Sequence, residues 1–156
     1  MEKQTLKRIK YVSRGAMPLS AEEVEELRSV SQRNNRREGI TGVLVETGGL
    51  FFQVIEGPEA SVDSLYRKIS ADPRHSELFL LNVMTDVESR LFPAWAMKTV
   101  QLDRTDPRRE AVRALLETAV ESHRRVQRLA QAIERVVWNE VTFSNEQNEE
   151  SDQYDQ

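Results

Sequence analysis

The chain has 156 residues, 38% of them hydrophobic and 31% charged, with a formal net charge of −4, which suits one packed domain plus an extension. It has no cysteine and only two histidines, His75 and His123, which excludes disulfides, thiolate chemistry and a histidine-based metal cluster. No apolar run is long enough to span a membrane and Met1–Lys10 lacks the apolar core of a secretion signal, so a cytoplasmic protein is expected.

Leu6–Ser13 predicts a first strand, with Ile9, Tyr11 and Ser13 on one face. A helix follows: Ser20 is placed to cap it, Glu23 completes a capping box, and Leu19 can pack on Val24 as a staple. Val24, Leu27, Val30 and Ser31 form its inner stripe, and Asn34-Asn35 predicts its end. Ile40–Thr47 and Leu50–Glu56 are β-rich runs joined by Gly48-Gly49, a strong hairpin signal. Gly57-Pro58 breaks the strand and opens a second helix with Val62, Leu65, Tyr66 and Ile69 inward; Asp72-Pro73 ends it. Glu77–Val87 and Phe92–Leu102 predict two more strands. The order β-α-β-β-α-β-β predicts an α+β fold, a ferredoxin-like sandwich with one added strand and a C-terminal helical extension. Its helix-covered face is the natural place for a ligand.

Beyond Asp106-Pro107 there is no further glycine or proline. Val112, Ala119, Val126 and Ile133 recur every seven residues, with Leu115/Leu116, Leu129/Ala130 and Val136/Val137 between them, a seam interrupted near Ser122-His123. This predicts either one long helix of a homodimeric coiled coil or a bent helical hairpin. Eight arginines fall between Arg104 and Arg135, and six acidic residues with no basic one between Glu140 and Gln156. The organisation expected is a domain over 1–103, a helical extension over 104–139 and an acidic, disordered tail over 140–156.

Two polar residues interrupt apolar strand faces. Gln53 lies between Phe51 and Ile55, and a buried amide must place two donors and an acceptor. Tyr11 sits likewise between Ile9 and Ser13. A tyrosine bonded to a glutamine also occurs as a purely structural pair, so the two residues alone do not assign a function.

Read together, Tyr11-Val12-Ser13, Gln32-Arg33-Asn34-Asn35, Gly39-Ile40-Thr41-Gly42, Phe52-Gln53-Val54-Ile55-Glu56-Gly57, Asp72-Pro73-Arg74-His75 and Trp95-Ala96-Met97, in that order, resemble the BLUF family of flavin-binding blue-light sensors across Leu6 to Leu102. Ala96 departs from the pattern, where the family often has serine. The resemblance implies a noncovalent flavin, FAD by family expectation with FMN or riboflavin possible, held between the two helices. Leu27 and Ile69 match the residues that clamp its ring. Asn35 matches the asparagine that reads its pyrimidine edge, and Asn34, Lys68, Asp72, Arg74 and His75 fall at contacting or adjacent positions. It further implies photochemistry in which Tyr11 gives an electron and a proton and Gln53 reorganises by rotation or tautomerisation. Trp95 and Met97, expected with one parity on the last strand, would pass the change onward. The output is then expected through a downstream signalling protein or self-association, without enzymatic activity in this chain.

Two other readings use different features. A hydrolase on the same fold would need a glycine-rich phosphate loop or a readable nucleophile–base set, and neither occurs. A nucleic-acid module would use the arginine-rich helix, but aromatic residues do not interleave those arginines and the net charge is acidic.

Overall fold

The structure, a computed structural model, describes residues 5–17 and 19–152, with side chains through residue 141. The elements are β1 (Leu6–Gly15), α1 (Ala21–Glu38), β2 (Thr41–Thr47), β3 (Leu50–Pro58), α2 (Glu59–Ser70), β4 (His75–Val87), β5 (Lys98–Gln101) and α3 (Arg109–Asp152). They form a mixed five-stranded sheet in the order β4-β1-β3-β2-β5, antiparallel except for the parallel β2–β5 pair. This is the expected ferredoxin-like arrangement. Among the described residues no helix is long and apolar enough to cross a membrane.

Side-chain alternation divides the core by sheet face. Ile9, Tyr11 and Ile55 join Ile40, Val62 and Met97 in one buried cluster, against which Leu65, Tyr66 and Ile69 of α2 pack. On the other face Val12, Leu50 and Val54 are fully or nearly buried. The first turns of α3 reach β1 there: Arg14 Nη2 lies 2.8 Å from Glu117 Oε2.

Ser20 caps α1 as expected, in a complete capping box with Glu23. The helix does not end at Asn34-Asn35, however. It continues to Glu38 and stops at Gly39, whose φ of 68° is the left-handed conformation that favours glycine at a C-terminal cap. Gly48 and Gly49 have φ of 57° and 84°, the paired positive values of a tight hairpin turn.

The last strand is also shorter than expected. Residues 88–97 form an irregular strap and only Lys98–Gln101 pair as β5, so Trp95 and Met97 precede the strand rather than lie on it. The reason is that the strap's amides are bound elsewhere: Leu91 N and Phe92 N both donate to the Glu56 carboxylate, at 3.0 and 2.6 Å.

By contacts the chain divides into two units, Met1–Ala119 and Val120–Gln156. The first holds the sheet, α1, α2 and the opening turns of α3. In the second the α3 backbone runs without interruption through Ser122-His123 and on to Asp152. Neither glycine nor proline stops it where composition predicts disorder from Glu140; Gln153–Gln156 of that expected tail lie outside the described residues. Val126, Leu129, Ile133 and Val136 are exposed along it.

Gly42 sits where β2 meets β3, and a Cβ there would collide with the backbone carbonyl of Val54. Gly42→Ala should therefore cost about 3 kcal/mol or more. At Gly49 nothing lies within 4 Å of an added Cβ, and only the left-handed backbone opposes it, at about 1–2 kcal/mol. Urea unfolding midpoints compare the two variants, and an equal or larger loss at Gly49 would contradict this packing.

Candidate functional site

A cleft between α1 and α2 opens above the middle of the sheet. Its floor is Tyr11 of β1, Leu44 of β2 and Gln53 of β3; Leu27, Ser31 and Asn35 come from α1, Leu65 and Ile69 from α2, and Asp72, Arg74 and His75 from the turn after α2. Leu27 of α1 and Leu65 and Ile69 of α2 face the slot from different helices, whereas Val30, expected on the inner stripe of α1, is exposed.

Tyr11 and Gln53 are directly cross-strand partners in the β1–β3 ladder. Both are buried. The Tyr11 hydroxyl donates a hydrogen bond to Gln53 Oε1, and Gln53 Nε2 donates to Met97 Sδ at 3.3 Å. Tyr66 meets the Tyr11 ring edge-on, with centroids 5.9 Å apart. Burial pushes the Tyr11 phenol well above its ordinary range and Tyr66 adds to the effect, so the hydroxyl keeps its proton and donates it to Gln53.

The strap closes the site from the β5 side. Asn35 Nδ2 donates to Ala96 O and Gln32 Nε2 to Met97 O, each at 2.8 Å. Gly42 N holds Trp95 O at 2.9 Å. These bonds leave Met97 buried beside Gln53, while Trp95 is 39% exposed, stacked on Phe92 with centroids 5.6 Å apart and under Lys98 Nζ at 4.4 Å.

At the mouth, Arg74 binds Asp72 through its guanidinium and its backbone N–H. The guanidinium holds the Asp72 carboxyl at about 2. Burial lowers the His75 imidazole from its ordinary 6.5, opposed by Asp72 and reinforced by Arg74. His75 Nδ1 is buried and has no hydrogen-bond partner among the described residues.

Ten of the twelve residues expected to form the site thus divide cleanly. Tyr11, Leu27, Asn35, Gln53, Ile69, Asp72, Arg74 and His75 line the cleft, Met97 touches Gln53, and Trp95 stands outside. The other two, Asn34 and Lys68, are exposed and do not line it. Sequence reasoning gave no role to Gln32, which lies in a recognised run, or to Glu56, Arg8 and Arg90. Charged residues at strand positions that alternate inward were the available signal for Arg8 and Glu56.

The residues present fit a planar heteroaromatic cofactor. The slot is apolar at Leu27, Leu44, Leu65 and Ile69. Gln53 carries two N–H donors, and among the described residues its amide nitrogen meets a thioether, a weak acceptor. With the unpartnered His75 Nδ1, this leaves hydrogen-bonding capacity facing a ring with acceptors and donors on its edge.

Comparison with known proteins agrees. The BLUF family model, sensors of blue light using FAD, matches residues 6–98. Photoactivated adenylate cyclase subunit beta of Euglena gracilis is 33% identical over 94 residues, which are 60% of this chain and 11% of that protein; the chain therefore spans about a tenth of this curated relative. The structure of a bacterial light-regulated adenylyl cyclase superposes with a TM-score of 0.70 at 41% identity, covering 79% of this chain and 36% of that one. The dark-state structure of BlrB, a BLUF protein, gives 0.60 at 32% identity, covering 76% and 98%.

The two titrating groups at the mouth predict how stability depends on pH. Both have native values below their unfolded ones, so each contributes stability that is full above the unfolded value and lost on acidification. His75 should begin to cost stability as pH falls below 6.5, and Asp72 as it falls from 3.8 toward about 2. Urea midpoints at pH 7 and 5.5 should separate the wild type from His75→Gln, with the variant losing less. Equal losses would show that His75 is not desolvated in the native protein.

Proposed function

Because the chain belongs to the BLUF family of blue-light sensors that use FAD, we propose that it holds FAD noncovalently in the cleft between α1 and α2 and signals by rearranging the hydrogen bonds of Tyr11 and Gln53. The observation that carries this reading is the Gln53 amide, buried on the cleft floor with its oxygen toward Tyr11 and its nitrogen toward Met97.

Leu27 and Ile69 would sandwich the ring, and Asn35, Asp72, Arg74 and His75 would meet its polar edge and the start of its tail. Asn34 and Lys68 would act only on the exposed part of the cofactor. FMN or riboflavin would meet the same ring contacts. A bound flavin supplies blue-light absorption and, when excited, a strong electron acceptor. Tyr11 would be its electron donor and Gln53, the acceptor of the phenol O–H on the cleft floor among the described residues, would relay the proton. The return of electron and proton to Tyr11 would leave no net redox change and a rearranged amide. Rotation of the amide would turn its oxygen toward Met97, and tautomerisation would convert its oxygen to a donor. Either change alters what Gln53 offers the strap, and this is the step we assign to signalling. The family's membership supports a sensor over the hydrolase and nucleic-acid readings.

The protein as purified should be yellow, and blue light should move its flavin band reversibly to the red. Gln53→Leu, which removes donor and acceptor together, should keep the flavin and lose the shift. Tyr11→Phe should behave the same way. Asn35→Ala should instead lower flavin occupancy, because a lost hydrogen bond of this kind costs about 1–3 kcal/mol. A normal red shift in Gln53→Leu contradicts the proposed switch.

For output we propose a homodimer through α3, with a downstream signalling protein as recipient. The seven-residue spacing of Val112, Ala119, Val126 and Ile133 favours a partner helix of the same register, and Val126, Leu129, Ile133 and Val136 are exposed in the single chain. Arg125 and Arg128 lie beside Glu121, at 3.7 and 3.4 Å, which leaves the flank of the seam polar. Val126→Glu should give monomers that still photocycle, read by sedimentation; an unchanged dimer would move the interface elsewhere.

A further inference from the structure

A second buried constellation lies on the reverse face of β3. Glu56 is 1% exposed and three residues beyond Gln53 on the same strand, so the two side chains emerge on opposite faces of the sheet. Arg8, its cross-strand partner in β1, places Nε 2.9 Å from Glu56 Oε2. The same oxygen accepts Leu91 N at 3.0 Å, and Oε1 accepts Phe92 N at 2.6 Å and Thr41 Oγ1 at 3.4 Å. Arg8 Nη2 holds Ser89 O at 2.8 Å. Arg90 completes the set, donating to Thr41 Oγ1, Glu56 O and Gly39 O at 2.9, 3.0 and 2.7 Å.

Six of these eight bonds end on one segment or start from it, the strap that carries Met97; the other two tie Arg8 and Thr41 to Glu56 itself. Its start is fixed by charge-assisted bonds to β1 and β3, and its end by Gln32, Asn35 and Gly42. At that end the side-chain contact that Gln53 makes, to the Met97 thioether sulfur, is the weakest in the series. β3 therefore grips the strap twice, firmly through Glu56 on one face and weakly through Gln53 on the other.

We propose that Glu56, with Arg8 and Arg90, is a positioning latch for the switch: it sets how closely the Met97 sulfur is held against Gln53 and so how long the light-altered arrangement lasts. The proposal rests on the photosensor reading for its kinetic consequence, but its structural half concerns only the strap.

Glu56→Gln tests it without changing side-chain volume. Both oxygens of Glu56 accept hydrogen bonds, so the amide nitrogen introduced must face a donor whichever way it turns. The latch should loosen. Arg90→Gln, at a half-exposed position, weakens the same latch from outside and serves where Glu56→Gln fails to fold. We expect either variant to keep its flavin and its red shift but to change the dark recovery rate by about threefold or more. In a Met97→Leu background the same substitution should add nothing, because the effect passes through that sulfur. In the dark, the Met97 methyl resonance should shift in the latch variant. Unchanged recovery together with an unmoved Met97 resonance overturns the proposal, as does a full effect retained in Met97→Leu. A wild type that binds flavin without a red shift overturns the photosensor reading instead, and the Met97 resonance then decides the latch alone.

Discussion

The cross-strand pairing of Tyr11 with Gln53 in the β1–β3 ladder is the constraint from which the site follows. Strand side chains alternate, so a slip of one residue would send Gln53 to the opposite face and bring Phe52 or Val54 to the cleft floor. The neighbouring pairs on the same face, Ile9 with Ile55, both buried, and the buried Ser13 with the half-buried Phe51, hold the register. With the register set, the phenol has a single acceptor beside it, and burial keeps the phenol protonated. The amide is then held by its oxygen and nearly free at its nitrogen. A side chain in that state can reorganise without breaking the packing around it, because the groups it exchanges are hydrogen-bond partners rather than volume.

In the proposed switch, the strap would translate that local freedom into something the rest of the fold can register. Irregular backbone inside a domain must find partners for its N–H and C=O groups. Here those partners are side chains of α1 and the Gly42 N–H of β2 at one end, and side chains of β1 and β3 at the other. No ladder bond fixes residues 88–97, so their position depends on a small number of specific contacts. Met97 is buried in the main cluster, and the residue after it begins β5. In the proposed switch, a shift of the sulfur would therefore reach a sheet strand without an intervening flexible loop.

Much of this was legible in the sequence where local rules decide. The capping box of Ser20 and Glu23, the Gly48-Gly49 turn and the alternation around Tyr11 and Gln53 each specify geometry within a few residues. The misreadings occur where a distant partner decides. Asn34-Asn35 reads as a helix end because asparagine favours turns, but Asn35 satisfies its amide on Ala96 O, sixty-one residues away. Phe92–Leu102 reads as one strand because it is apolar, yet its first amides belong to Glu56. The same limit hid the roles of Arg8, Glu56 and Arg90, whose meaning lies in contacts between elements rather than in any local pattern. For the expected site, residue type and order in the chain, taken as a family resemblance, were enough to name eight residues that line one cleft.

That a latch should be built from buried charge follows from what such pairs are good at. Removing Arg8 and Glu56 from water costs several kcal/mol per ion, and their attraction recovers little net stability. Apolar side chains of similar volume would pack the reverse face at no such cost. They would not, however, direct the strap: apolar contacts tolerate sliding, whereas a carboxylate that accepts a guanidinium and two successive amides fixes both distance and direction. A weak, exchangeable contact at Gln53 has a defined effect on Met97 only when the far end of the strap does not yield first. The expense of the ion pair on one face of β3 is therefore the condition under which a small rearrangement on the other face has a single mechanical outcome.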